Sequence, residues 1–183
     1  VEEIIMALTQ NKDIGMCAGN PQPVIGNSFI EKADSNAFNT YANVYKNMNN
    51  GKNVFTADGR ILAYRKDLLK KIKIPEDMIS NDVYTYYCCI TLGFKYEYVK
   101  KAIVYFRSPQ NLRDKIRQNK RASATNLRMS RYFPWEIILR ESYVPVDARI
   151  KSIILQLFKD PIGSFLIFGI NKYCQLVARS EEA

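Results

Sequence analysis

Apolar positions fall at helical spacing in Ile4, Ile5 and Leu8, so residues 1 to 10 are predicted as the end of a helix. Ile14-Gly15-Met16-Cys17-Ala18-Gly19 is a short continuous apolar run, predicted as a buried strand closed by Pro21 and Pro23. Between Asn27 and Asn50, Phe29, Ala33, Phe38, Tyr41 and Tyr45 predict a helix with an aromatic face, stopped by Asn49-Asn50-Gly51. Asn53 to Tyr64 then reads as two short extended pieces around Asp58-Gly59. A basic helix from Arg65 to Ile72 follows, ended by Ile74-Pro75.

Ser80-Asn81-Asp82 is a run of residues that favour helix N-caps, placed before a predicted helix from about Val83 to Leu92, with Gly93 as its stop. Lys95 to Arg107 alternates at Tyr96, Tyr98, Ile103 and Tyr105, which predicts one or two strands. Ser108-Pro109 opens a long basic helix to about Arg131, and Val146 to about Val177 reads as two amphipathic helices broken at Asp160-Pro161. Strands alternating with helices predict an α/β fold.

Composition narrows the chemistry. The 183 residues carry 27 Lys+Arg against 18 Asp+Glu and no histidine, a net charge of +9. The absence of histidine excludes Ser-His and Cys-His nucleophile pairs and histidine metal sites, leaving carboxylate, lysine or tyrosine for acid–base work. Cys17, Cys88, Cys89 and Cys174 form no Cys-x-x-Cys and are expected as reduced thiols, with Cys88-Cys89 in the core. No signal-peptide pattern is visible, and an opening without Met that drops straight into a helix suggests a piece of something longer.

The charge is concentrated. Gln110 to Arg131 holds seven basic residues against Asp114 alone, two-thirds of the net charge in 22 residues. This points to a polyanionic partner: nucleic acid, ligand phosphates or an anionic membrane face. The longest apolar run of the tail, Ile162 to Ile170, is nine residues, against about 20 for a spanning helix. Flanked by Lys151, Lys159, Lys172 and Arg179, that face suits either an anionic membrane surface or the domain core.

Two features could carry chemistry. Asp82 stands at a helix N-terminus, where the dipole and free N–H groups favour an anion, although Ser80 or Asp82 could equally serve only as the cap. Gln118-x-x-Arg121 puts an amide and a guanidinium on one helix face, suited to a phosphate or a sugar hydroxyl, and equally to a solvated basic face.

In order, the chain holds Gly59-Arg60-Ile61-Leu62-Ala63-Tyr64-Arg65-Lys66, Ile74-Pro75, Asn81-Asp82, Leu92-Gly93-Phe94-Lys95, Val104-Tyr105-Phe106, Pro109 and Gln118-Asn119-Lys120-Arg121. This series resembles the acceptor half of family 2 glycosyltransferases, most closely the membrane-associated polysaccharide synthases, over about residues 15 to 131. The chain departs from the family pattern in three places. Asn81 replaces the first member of the acidic pair, Ala122 stands where a Trp follows Q-x-x-R, and no Asp-x-Asp occurs.

The resemblance implies the C-terminal part of a GT-A mixed sheet flanked by helices over residues 1–132, then an amphipathic helical tail over 133–183. It implies inverting transfer from a nucleotide-sugar donor to a glycan or lipid-linked acceptor, with Asp82 as general base. Asn81, Asp58, Gly59 and Arg60 would line the acceptor cleft, and Gln118, Lys120 and Arg121 would meet the diphosphate. A divalent metal, Mg or Mn, would belong to the complete enzyme, its ligands lying outside this chain. The implied location is cytoplasmic, at the inner face of the cell membrane. Two other readings stand beside this one. One is a non-catalytic binding or assembly module of the same fold. The other is a nucleic-acid binder, for which no finger, helix-turn-helix or RNP-like pattern is present.

Overall fold

Residues Ile14 to Pro21 are all buried, so their backbone groups need partners on both edges of the strand they form. The computed structural model, which describes residues 1–182 and side chains as far as Val177, makes this stretch the middle strand of a three-stranded sheet in the order β2-β1-β3. β1 spans Ile14–Pro23, β2 Leu62–Tyr64 and β3 Lys95–Phe106. β2 runs antiparallel to β1, with Met16 opposite Tyr64 and Ala18 opposite Leu62. β3 runs parallel to β1: Lys95 N–H donates to Asp13 O at 2.8 Å near one end, and Val24 N–H to Phe106 O at 2.8 Å near the other. The predicted α/β class is what the structure shows, as a small mixed sheet flanked by helices.

The strand runs through both prolines that were expected to close it. Alternation explains this. Gly19 N–H points toward the β2 side, where it donates to Ile61 O at 3.1 Å, so Pro21 and Pro23 present their missing N–H groups to that same side. The ladder with β2 covers Met16 to Ala18, so no strand hydrogen bond is lost beyond it.

The chain forms two compact units, Val1–Gln22 with Tyr45–Tyr105, and Pro23–Val44 with Phe106–Ala183. In the first, helix α1 (Glu2–Gln10) covers the sheet through a cluster of Ile4, Ile14, Cys17 and Ala102, joined by Leu8, Ile61, Ala63 and Val99. α1 has no basic residue in its last turn; Arg65 supplies one from across the fold. Its guanidinium donates to Leu8 O, to Asn11 O at 2.8 Å and to Ile14 O at 2.8 Å. The basic helix expected from Arg65 to Ile72 shrinks to one turn, α3 (Lys66–Leu69), which buries Leu68. The first extended piece expected after Asn53 is a 3-10 turn, Val54–Thr56, because the Asn53 side chain accepts from Phe55 N. α4 (Asn81–Thr91) matches the expected helix and ends in a Schellman motif: Phe94 N–H donates to Cys89 O and Gly93 N–H to Ile90 O, with Gly93 at φ +81°.

The second unit holds most of α2 (Phe29–Asn47) together with α5 (Leu112–Ser123), α6 (Thr125–Met129), α7 (Trp135–Glu141), α8 (Val146–Lys159) and α9 (Pro161–Glu182). α2 is the expected helix; of its predicted face Ala33 is buried, Phe38, Tyr41 and Tyr45 are half-buried and Phe29 is exposed, while Glu31, Asp34, Ala37 and Thr40 are buried as well. Ala33 and Ala37 pack with Ile167, Ile170 and Cys174, and a Cβ added at Gly163 would meet Ala33 Cβ at 2.8 Å. Small side chains are what let α2 and α9 approach that closely. The break at Asp160-Pro161 is as predicted: Asp160 Oδ1 accepts from Gly163 N at 2.9 Å and Pro161 opens α9.

The single long basic helix expected from Ser108 to Arg131 is instead two. It starts at Leu112, where Asn111 caps by accepting from Asp114 N at 2.9 Å. It breaks at Ala124, beside which the Thr125 hydroxyl bonds back to Arg121 O and competes with the helix ladder. α7 was not foreseen. All four cysteines are free and buried, and burial pushes the Cys17 and Cys89 thiols up to about 12.

The start of α2 holds a capping box. Ser28 Oγ accepts from Glu31 N at 3.1 Å, and Glu31 Oε2 accepts from Asn27 N at 2.9 Å and Ser28 N at 3.4 Å. Glu31 also meets Arg107 Nε at 2.5 Å, with its own side chain only 1% exposed. The Arg107 bond first, then the Asn27 N–H, hold its carboxyl below the usual carboxylate value. Stability from this depressed group is complete above the ordinary carboxylate range and is lost as pH falls through the lower folded value. Glu31→Gln is therefore expected to melt below wild type at neutral pH, with the gap closing in strong acid. A gap independent of pH in calorimetry would contradict the assignment.

Candidate active site

A tight turn comes before β2. Asp58 Oδ1 accepts from Arg60 N at 3.0 Å, an Asx turn, and Ile61 N–H donates to Asp58 O at 3.3 Å. The turn presents Gly59 N–H outward, and Asp82 Oδ2 accepts from it at 3.1 Å. The second carboxylate oxygen, Oδ1, accepts from Val83 N at 2.9 Å. Asp82 therefore sits in the first turn of α4, held by two backbone N–H groups, and Ser80 rather than Asp82 occupies the N-cap position. Gly59 has a specific role: a Cβ there would stand 3.2 Å from Asp82 Oδ2. The missing side chain makes room for the carboxylate itself.

Asp82, Asn81, Gly59 and Arg60 line one cleft of about 690 Å³. Gly59-Arg60 and Asn81-Asp82 lie more than twenty residues apart in the chain, and the fold brings the two pairs together. Asp58 does not line this cleft. Its Oδ2 meets Arg60 Nη1 at 2.5 Å, so it holds the guanidinium and offsets its charge.

The remaining lining, Ile61, Leu62, Tyr64 and Ile79, was not foreseen as part of the site. A period of two in β2 could have found it, since Leu62 and Tyr64 share a face while Ala63 packs in the core beneath α1. Tyr64 OH and Thr85 Oγ1 are 3.0 Å apart, and Thr85 Oγ1 donates to Asp82 O at 3.0 Å. This short chain ties the β2 wall to the first turn of α4. Burial above all raises the Tyr64 pKa, with the nearby Asp82 charge adding to it, so the phenol stays neutral. Asp82 is the carboxylate of a lining that mixes apolar Ile61, Leu62 and Ile79 with polar Arg60, Tyr64 and Asn81.

Gln118, Lys120 and Arg121 belong to the second unit, on α5. Arg121 is exposed and follows Arg113 and Arg117 at four-residue spacing, a basic stripe along one face. Gln118 is turned partly inward, with Oε1 buried and without a hydrogen-bond partner. Its neighbour Asn119 is tied to α9, donating to Asn171 Oδ1 at 2.5 Å. Among the described residues, no group of three or more His, Cys, Asp or Glu could hold a metal ion.

The Gly59–Asp82 bond is testable by amide hydrogen exchange. Asp82→Ala should speed exchange at Gly59 roughly five- to tenfold, the worth of about one hydrogen bond. Asp82→Asn, which keeps an acceptor oxygen, should leave it near wild type. Equal rates in all three proteins would contradict the geometry. No model of a known protein family matches the chain, and no curated protein matches it.

Proposed function

We propose that this chain is the acceptor-side half of a GT-A type family 2 glycosyltransferase, which moves a sugar from a nucleotide-sugar donor to a glycan or lipid-linked acceptor with inversion. The observation that supports this reading most is the Asp82 carboxylate lining the cleft. It is fixed by Gly59 N–H and Val83 N–H and keeps lone pairs for a further donor. Two backbone bonds set its orientation without using its capacity to take a proton.

In the proposed step an acceptor hydroxyl loses its proton to Asp82 as its oxygen attacks the anomeric carbon. The new glycosidic C–O bond forms while the bond from the anomeric carbon to the diphosphate oxygen breaks, and the nucleoside diphosphate leaves with the electron pair. Asn81 and Arg60, the latter held in place by Asp58, supply polar groups for sugar hydroxyls, and Tyr64, Leu62 and Ile79 an apolar wall for the sugar's C–H face. Among the described residues no acidic cluster suits the divalent cation expected of the complete enzyme, and no step is assigned to it. Such an enzyme would work in the cytoplasm at the inner face of the cell membrane. For α5 a separate role is proposed, with Arg121 meeting the diphosphate as a charge-assisted donor and Lys120 and Gln118 beside it.

Asp82→Asn in the parent polypeptide should lower transfer by about a hundredfold or more while leaving donor binding near wild type, because an amide cannot accept the proton. Retained turnover would sink the base assignment. Arg121→Ala should weaken nucleoside diphosphate binding in calorimetry, and an unchanged affinity would leave Arg121 on a solvated basic face.

A further inference from the structure

Helix α8 is turned inside out. Ile150, Ile153, Ile154, Leu157 and Phe158 fall at i, i+3, i+4, i+7 and i+8, the stripe that a surface helix in water buries against its core. All five are exposed here, Phe158 at 85%, while the opposite face buries Ser152 at 2% and Gln156 at 5%. On that inward face the Ser152 hydroxyl donates to Arg149 O at 2.8 Å within its own helix, and Ser164 Oγ of α9 donates to the Gln156 backbone carbonyl at 3.0 Å, tying the two helices together.

Helix α9 extends the exposed surface. It gives Ile167, Ile170 and Cys174 to the core and leaves Ile162, Phe165, Phe168 and Leu176 exposed on its other side. An apolar surface of this extent is not a solvated face.

The charges around it select the partner. Arg149, Lys151, Lys159 and Lys172 are exposed along the two helices, and Lys172 Nζ stands 5.7 Å from the Phe168 ring centroid. The acids among residues 146–177 are Asp147 and Asp160, and the Asp160 carboxylate already accepts from Gly163 N and Asn36 Nδ2. In a two-fold dimer this basic surface would face its own copy, setting like charges against each other. Lipid phosphates complement it. No helix among the described residues is long and apolar enough to cross a membrane. The Arg179 flank expected from the sequence lies outside the described side chains.

We propose that α8 and α9 form an in-plane docking face for an anionic lipid surface. Their apolar side chains enter the boundary between headgroups and acyl chains, and their lysines meet the lipid phosphates. This inference stands apart from sugar transfer, since neither helix contributes to the Asp82 cleft lining.

The test is co-sedimentation of the full chain with phosphatidylcholine vesicles, with and without phosphatidylglycerol. Wild type should bind the anionic vesicles well above the neutral ones. Phe158→Ser with Phe165→Ser, both exposed and so expected to leave the circular dichroism melt unchanged, should lower the partition coefficient roughly tenfold. Lys151→Gln, Lys159→Gln and Lys172→Gln should each weaken binding to anionic vesicles alone, by about fivefold. Vesicle binding that survives the double phenylalanine change would overturn the proposal. So would a wild type that ignores anionic vesicles but self-associates through the same residues in analytical ultracentrifugation.

Discussion

The demand that organises the first unit is the pairing of β1 on both edges. A strand buried from Ile14 to Pro21 needs partners on both edges, and it finds β3 along one and the short β2 over Met16 to Ala18 on the other. The three-residue register with β2 fixes where the chain turns just before Leu62, and so where Gly59 points. Arg65, directly after β2, then fastens the same region to the end of α1 through three carbonyls. The position of the turn is thus set by backbone bonds on both sides of it, before any side chain of the cleft is considered.

Against that frame the cleft's polarity follows from a few local choices. Asp58 holds Arg60 at 2.5 Å, which leaves a neutral pair where an uncompensated cation would compete for Asp82. Tyr64 is kept as a neutral hydroxyl, chiefly by burial, and spends its hydrogen bond on Thr85. Asp82 is left as the anionic group of the lining, in the first turn of a helix whose dipole favours that charge. In a chain without histidine, a carboxylate is one of the few side chains left that can take a proton from an alcohol.

What was legible in the sequence was mostly local chemistry. Gly93 at the end of α4, the Asp160-Pro161 break and the helical start of the chain are signalled by residues whose backbone preferences leave little choice. The cleft group Gly59, Arg60, Asn81 and Asp82 was legible from motif order, but the reason for Gly59 was not, because the space it leaves is filled by a residue 23 positions away. Expectations failed where tertiary contacts decide. β1 continues past Pro21 to Pro23 because its ladder with β2 covers only Met16 to Ala18, leaving that edge without a partner strand at the prolines. The long basic helix expected after Ser108 breaks at Ala124, where the Thr125 hydroxyl bonds back to Arg121 O. The periodicity of α8 marks an apolar stripe but does not say which way it faces; the burial of Ser152 and Gln156 on the opposite side does.

The central claim is that the cleft built on Asp82 receives a sugar hydroxyl. The Gly59 and Val83 amides each bond one oxygen of that carboxylate, so their NMR signals report directly on what the carboxylate meets. Titration of the labelled chain with a panel of oligosaccharides should shift both signals together and saturably for at least one sugar class, and Asp82→Ala should remove the response. If no sugar moves either amide, or shifts appear only away from the cleft, the account of this site is wrong.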